Sequence, residues 1–184
     1  SVEDLVRRVF DRLLKDAEGR SYLDRLKTHF GARVQKVGLF GVSLEFRASA
    51  SDLQSVARGF AGELRGLLDK LGGDASGLLL VLDDINGLAE SGEFAHWLKS
   101  LVDEIATSKI PLPVCLVLVG LEERRQSLID RQPSLARVFE VVDIAPWSVT
   151  ESAEFFSGCF SKVGITVEAA AINVLTAYSG GLPV

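Results

Sequence analysis

The chain has 184 residues, 47% hydrophobic and 24% charged, which is enough apolar material for one domain with a buried core and argues against disorder. Its net charge of −5 gives no electrostatic footprint for nucleic acid, and no apolar run reaches the roughly 18 residues of a membrane span. Cys115 and Cys159 each sit in an apolar run with no histidine nearby, so they read as buried reduced thiols rather than a metal site.

The sequence opens Ser1-Val2-Glu3-Asp4, which is no signal peptide, and contains no Met. A helical register already running at Ser1 reads as a piece of a longer cytoplasmic protein; processing after an initiator Met is the alternative. Val2, Leu5, Val6, Val9, Phe10, Leu13 and Leu14 predict an amphipathic helix over residues 2–16. Tyr22, Leu23, Leu26 and Phe30 predict a second helix, ended by Gly31. His29, within it, and the distant His96 read as surface or packing residues. Residues 34–40 and 42–46 read as two short strands around Gly41, a hairpin, and Val42, Leu44 and Phe46 alternate with Ser43, Glu45 and Arg47 as in a strand with one buried face. Asp52 then reads as the N-cap of one long helix, which carries Leu53, Val56, Ala57, Phe60, Leu64, Leu67, Leu68 and Leu71 and stops at Gly72-Gly73.

Leu78 to Leu82 is a continuous aliphatic run, the pattern of a strand covered on both faces. The stripe Phe94, Trp97, Leu98, Leu101, Val102 and Ile105 predicts a helix, and Pro111 and Pro113 precede a second buried strand over 114–119. A helix is expected near residues 121–129 and a third strand over 138–144. Helices near 150–162 and 167–179 follow, before Gly180-Gly181-Leu182-Pro183-Val184. Alternating apolar strands and helices favour a parallel sheet with helices on both faces, whose sites lie at the carboxyl ends of the strands.

The chemistry is concentrated in Leu78-Leu79-Leu80-Val81-Leu82-Asp83-Asp84. A buried strand holds its own end rigidly, so a carboxylate there can bind Mg²⁺ directly or through water, and the next can polarise an attacking water. The bland alternative is an acid that caps the following helix. Downstream stand the run Val117-Leu118-Val119-Gly120, the arginines Arg124, Arg125, Arg131 and Arg137, and the passage from Ile144 through Ala145-Pro146-Trp147-Ser148 to Ala153.

In that order these segments resemble the AAA+ and STAND branches of the P-loop ATPases, over roughly residues 75–184. Residues 78–84 are similar to Walker B, 114–120 to the sensor 1 strand, 134–139 to the stretch carrying an arginine near the last core strand, and Gly181-Leu182-Pro183 to the G-x-P motif of the helical lid. The resemblance implies an α/β fold: an incomplete three-layer parallel sheet of P-loop type with the start of a lid. Residues 1–147 would be a partial ATPase core, with 1–75 a helical and hairpin insert and 76–147 running from Walker B to the last core strand; residues 148–184 would begin the lid.

By the same resemblance the intact parent binds ATP and Mg²⁺. Asp83 would hold the metal and Asp84 would serve as base or water-orienting group. Arg137 would approach phosphate in its own subunit or a neighbour's, with a surface ion pair as the alternative. Leu182 and Pro183 would meet the adenine, or simply end a helix. For Arg124 and Arg125 a solvated helix face is the better reading.

Three departures stand out. No G-x-x-x-x-G-K-[ST] occurs, so the backbone nest and lysine that hold a triphosphate are missing. Asp84 stands where many hydrolysing members have Glu, although STAND members often carry two Asp. Gly120 offers no side chain to orient water. This chain alone is therefore expected to bind no ATP tightly and to turn over nothing. The family's first strand would lie before Ser1, beside the strand over 114–119. Its absence predicts an apolar edge that something must cover: the 34–47 hairpin, a missing segment, or a second copy by self-association. A non-catalytic interaction module on the same scaffold is the competing reading. An unrelated α/β enzyme would need a nucleophile and base, and neither a G-x-S-x-G nor a well-placed His is present.

Overall fold

The computed structural model describes residues 1–37 and 43–182. Helix α1 (Val2–Asp16) buries Val2, Val6, Val9, Phe10 and Leu14 on one face, and Ser1 caps it by accepting from the Asp4 N–H. Helix α2 (Leu23–Phe30) buries Leu26 and Phe30 and ends at Gly31. Strands β1 (Val34–Val37) and β2 (Ser43–Phe46) pair antiparallel with Val34 opposite Phe46; the turn at Gly41 lies outside the described residues. The Asp11 carboxylate accepts from the Phe46 N–H at 2.5 Å and from Arg7 at 2.9 Å, which ties the hairpin to α1. Phe10 is the hub of this region, its ring centroid 5.0 Å from those of Phe30 and Phe46 and 5.6 Å from that of Phe60.

The long helix expected over residues 52–71 is two helices, α3 (Ala50–Arg58) and α4 (Phe60–Leu71). The backbone leaves the helical region at Gly59, between two stretches of one continuous apolar stripe. The cap is Ser49, not Asp52: the Ser49 hydroxyl accepts from the Asp52 N–H at 3.1 Å, which places Asp52 in the first turn. A short polar side chain at either position could cap, and the extended backbone at Ser49 decides between them.

Strand β3 (Leu78–Leu82) leads through the short α5 (Asn86–Ala89) and α6 (Gly92–Thr107) to β4 (Val114–Leu118). The two strands pair in parallel, Leu78 opposite Val114 through Leu82 opposite Leu118. Leu80 and Leu82 are buried and Leu116 and Leu118 half-buried on one face, into which α6 brings Phe94, Ala95, Leu98 and Leu101. Trp97 donates to the Ala57 carbonyl at 2.8 Å and so fastens α6 to α3. Helix α7 (Glu122–Arg131) follows, then a 3-10 turn over Pro133–Arg137.

The three-layer parallel sheet is not formed. Among the described residues there are two separate two-stranded sheets, and helices make up most of the rest. The outer face of β3 is not covered as a strand buried on both sides would be: Leu79 is 64% and Val81 50% exposed. The third strand expected over 138–144 is absent, and Val141, Val142 and Ile144 are exposed there in irregular chain. A strand exists only through its ladder, and high β propensity without a neighbour does not make one. Nor do the described strands of the 34–47 hairpin pair with β4; they pair with each other, and β2 packs on α1. Both cysteines are exposed rather than buried. Cys115 falls on the outward-pointing set of β4 positions, and an apolar run does not say which of its alternate residues face in.

The chain divides into two compact units, Ser1–Phe139 and Glu140–Val184. In the second unit α8 (Val149–Lys162) packs on α9 (Ala169–Ser179). A capping box starts α8: the Ser148 hydroxyl accepts from the Glu151 N–H at 3.2 Å, and the Glu151 carboxylate accepts from the Ser148 N–H at 2.8 Å. The Ser148 hydrogen bonds hold the Glu151 carboxyl below its ordinary range. The Trp147 N–H donates to the Gly181 carbonyl at 2.8 Å, joining the two ends of this unit. No helix among the described residues is long and apolar enough to cross a membrane.

Candidate functional site

The parallel ladder of β3 and β4 runs on past its last regular pair. The Val119 N–H donates to the Leu82 carbonyl at 2.9 Å, and the Ile85 N–H donates to the Val119 carbonyl at 3.1 Å. The two loops leaving the strands are thereby held side by side, and Asp83 and Asp84 project from the carboxyl end of β3, both exposed. Buried Ile85 anchors the loop behind them.

The turn is held by local polar contacts. The Asp83 carboxylate accepts from the Asp84 N–H at 2.9 Å. Asp84 has φ of 51°, the left-handed region, which a short carboxylate side chain tolerates better than most. Its Oδ1 accepts from Asn86 Nδ2 at 2.5 Å, while Asn86 Oδ1 accepts from the Leu121 N–H at 3.0 Å. Asn86 thus bridges the acid-bearing loop to the loop after β4. Gly120 makes that bridge sterically feasible. A Cβ there would lie 3.1 Å from Ile85 Cγ1 and 3.2 Å from Asn86 Oδ1, tighter than neighbouring atoms normally accept. The residue that lacks a water-orienting side chain is the one that lets the loops close.

Asp83 and Asp84 stand at one end of a cleft of about 740 Å³ between α1 and the free edge of β3. Leu5, Val9 and Leu13 line the helix side, and Arg8 and Arg12 lie on the same face. Neither arginine is spare: Arg8 pairs with Asp4 at 2.9 Å and Arg12 with Asp16 at 3.0 Å. A hydrogen bond from Arg7, reinforced by the nearby charges of Arg8 and Arg7, holds the Asp4 carboxyl below its ordinary range. With both arginines neutralised by α1's own acids, Asp83 and Asp84 leave the cleft acidic, which suits a cation and repels a bare polyphosphate.

Chemically, the strand end offers a mobile-shelled cation one or two carboxylate oxygens. Mg²⁺ keeps several waters and commonly takes only one or two protein carboxylates, so Asp83 fits as a single ligand. A fully protein-built metal cage does not fit: among the described residues no group of three or more His, Cys, Asp or Glu side chains converges on one point. A triphosphate does not fit either, because no glycine-rich nest with its lysine accompanies the acids.

The remaining candidates belong to other elements of the chain. Arg137 ends the 3-10 turn, exposed and without an ion pair to any described residue. Arg124 pairs with Glu90 at the end of α5, and Arg125 reaches Glu122 one turn earlier in its own helix. Leu182 is exposed in the second unit, and Pro183 lies outside the described residues. Asn86, Arg8 and Arg12 were not visible as site residues in the sequence. An Asn just behind two acids is a signal for a turn-closing side chain. Nothing local marks Arg8 and Arg12, because only tertiary packing lays α1 beside β3.

No family model, curated protein or solved structure matches the chain.

Proposed function

We propose that this chain is the metal- and water-handling segment of a nucleotide-dependent ATPase of the AAA+ or STAND kind, with hydrolysis belonging to a longer cytoplasmic parent that supplies the phosphate-binding loop. The observation that carries the reading is the emergence of Asp83 and Asp84 together from the carboxyl tip of β3, alongside a parallel β4 whose end is fastened to the same turn. Asp83 has the exposure and the free lone pairs for a hydrated Mg²⁺ that also meets nucleotide phosphates. Asp84 is the proposed water-orienting group, and Arg137 the cation that approaches phosphate. Leu182 and Pro183 are proposed for the adenine on their motif alone.

Two features argue for slow chemistry. One oxygen of Asp84 is already occupied by Asn86, and Gly120 contributes no donor to a nucleophilic water. Calorimetry of this chain with MgATP is expected to show no tight binding, and phosphate release no turnover; micromolar affinity would overturn the assignment of the phosphate site to another segment. In the parent, Asp84→Asn is expected to abolish hydrolysis.

The apolar outer face of the strand pair, with Leu79 and Val81 exposed, favours a second reading: an interaction module without catalysis. Unchanged ATPase activity of the parent carrying Asp84→Asn would decide for it.

A further inference from the structure

Asn86 engages two different loops with the two ends of one side-chain amide. Its Nδ2 donates to Asp84 Oδ1 at 2.5 Å, and its Oδ1 accepts from the Leu121 N–H at 3.0 Å. Chemistry fixes which end is which, since a carboxylate only accepts and a backbone N–H only donates. The amide turns as one flat plate about the bond that carries it. Its oxygen therefore cannot swing away from Leu121 without carrying the nitrogen away from Asp84.

The loop that Asn86 reaches is also the loop that braces the acids. The Ile85 N–H bonds the Val119 carbonyl, and Gly120 leaves no room for a Cβ against Ile85 and Asn86. Arg124, in the first turn of α7, pairs with Glu90 just after α5. Asp84 is the one non-glycine residue with a positive φ among the described residues. A backbone in that region persists where its surroundings hold it.

We infer that Asn86 is a positioning residue that couples the start of α7 to Asp84. While Leu121 holds the amide oxygen, one oxygen of Asp84 is withheld from a cation or its water, and displacement of Leu121 releases it. The inference deepens the water-orienting role proposed for Asp84 and rests on that reading for its consequence in the parent. The coupling itself rests on the two hydrogen bonds.

Leu121→Pro tests it. Leu121 has φ of −75°, which proline adopts, and its side chain is exposed. The ring carbon takes the place of the N–H hydrogen, so the Asn86 amide must swing out. In metal-free chain, Leu121→Pro is expected to move the Asp84 carboxyl carbon resonance, and to leave it in place when Asn86→Ala is already present. Coupling is reciprocal, so Asp84→Gly, which keeps the left-handed turn without strain, is expected to move the Leu121 amide resonance. An Asp84 signal indifferent to Leu121→Pro, or one that moves as far without Asn86, overturns the inference. Mn²⁺ adds a second readout. Leu121→Pro is expected to raise Mn²⁺ affinity at the strand end roughly fivefold, the effect of one hydrogen bond no longer competing for the oxygen. Mere loosening of the loop would lower it, and a lower or unchanged affinity overturns the withheld oxygen. Resonance coupling without any Mn²⁺ site at residues 83–86 would uphold the inferred link and remove the metal reading instead.

Discussion

The strands of the hairpin region around Phe10 mix polar with apolar residues and the parallel strand pair is apolar throughout, yet only the first region is closed. Phe10, Phe30, Phe46 and Phe60 surround one another with every ring buried, and the hairpin is fastened to α1 through Asp11. The strand pair is packed on one face by α6 and left open on the other, with both strand edges unpaired among the described residues. Buried rings supply stability; the open strand end with two carboxylates is where the proposed chemistry would sit, at some cost in stability.

That contrast can be broken at several points. The largest expected effect is at Phe10. Phe10→Ala removes the ring that three others pack against and is expected to destabilise by about 3–5 kcal/mol, read from urea unfolding. A loss under ~1 kcal/mol would mean that the aromatic cluster is not the core. Asn86→Ala comes next. It leaves the Leu121 N–H and one Asp84 oxygen without their partner, a loss of about 1–2 kcal/mol, because both groups are partly solvated. An unchanged midpoint would show that the backbone ladder alone holds the two loops.

Arg7 gives a smaller, pH-dependent effect. The Asp4 carboxyl is held below its unfolded value, chiefly by the hydrogen bond from Arg7. A depressed carboxyl stabilises the fold above its unfolded pKa and loses that contribution as pH falls through the folded one. The Asp4 side chain is 41% exposed, so solvent screening limits the term to under about 1 kcal/mol. Arg7→Gln is therefore expected to be less stable than the parent chain at neutral pH, with the Asp4 part of the difference disappearing below the usual carboxylate range. A gap that widened in acid would reverse the sign of the assignment. The smallest effect is on the open face. Val81→Thr is expected to stay within about 0.5 kcal/mol, because its outward side chain is half exposed. A larger loss would mean that something covers this face.

The same contrast explains what could be read in advance. α1 was legible because a single helix writes its buried stripe locally, Val2 through Leu14. The hairpin pairing was legible from two short strand-like runs flanking Gly41, the second alternating as Val42, Leu44 and Phe46. The break at Gly59 was not, since the apolar stripe crosses it without interruption. The strand expected over 138–144 failed because its partner would have to come from elsewhere in the chain, and Val141, Val142 and Ile144 carry no information about that partner. Exposure of Cys115 follows from the parity of β4, which an unbroken apolar run conceals. At the candidate site, the run into Asp83 and Asp84 was visible, whereas the clamp by Asn86, the close approach at Gly120 and the cleft beside α1 belong to tertiary structure.

The most direct test of the strand-end carboxylates is a Mn²⁺ titration followed by amide resonances. Substoichiometric Mn²⁺ is expected to broaden the amides of residues 83–86 and 120–121 first, and Asp83→Asn is expected to abolish that selectivity. Broadening spread evenly over the acidic surface, or a pattern indifferent to Asp83→Asn, would contradict a metal site at the end of β3.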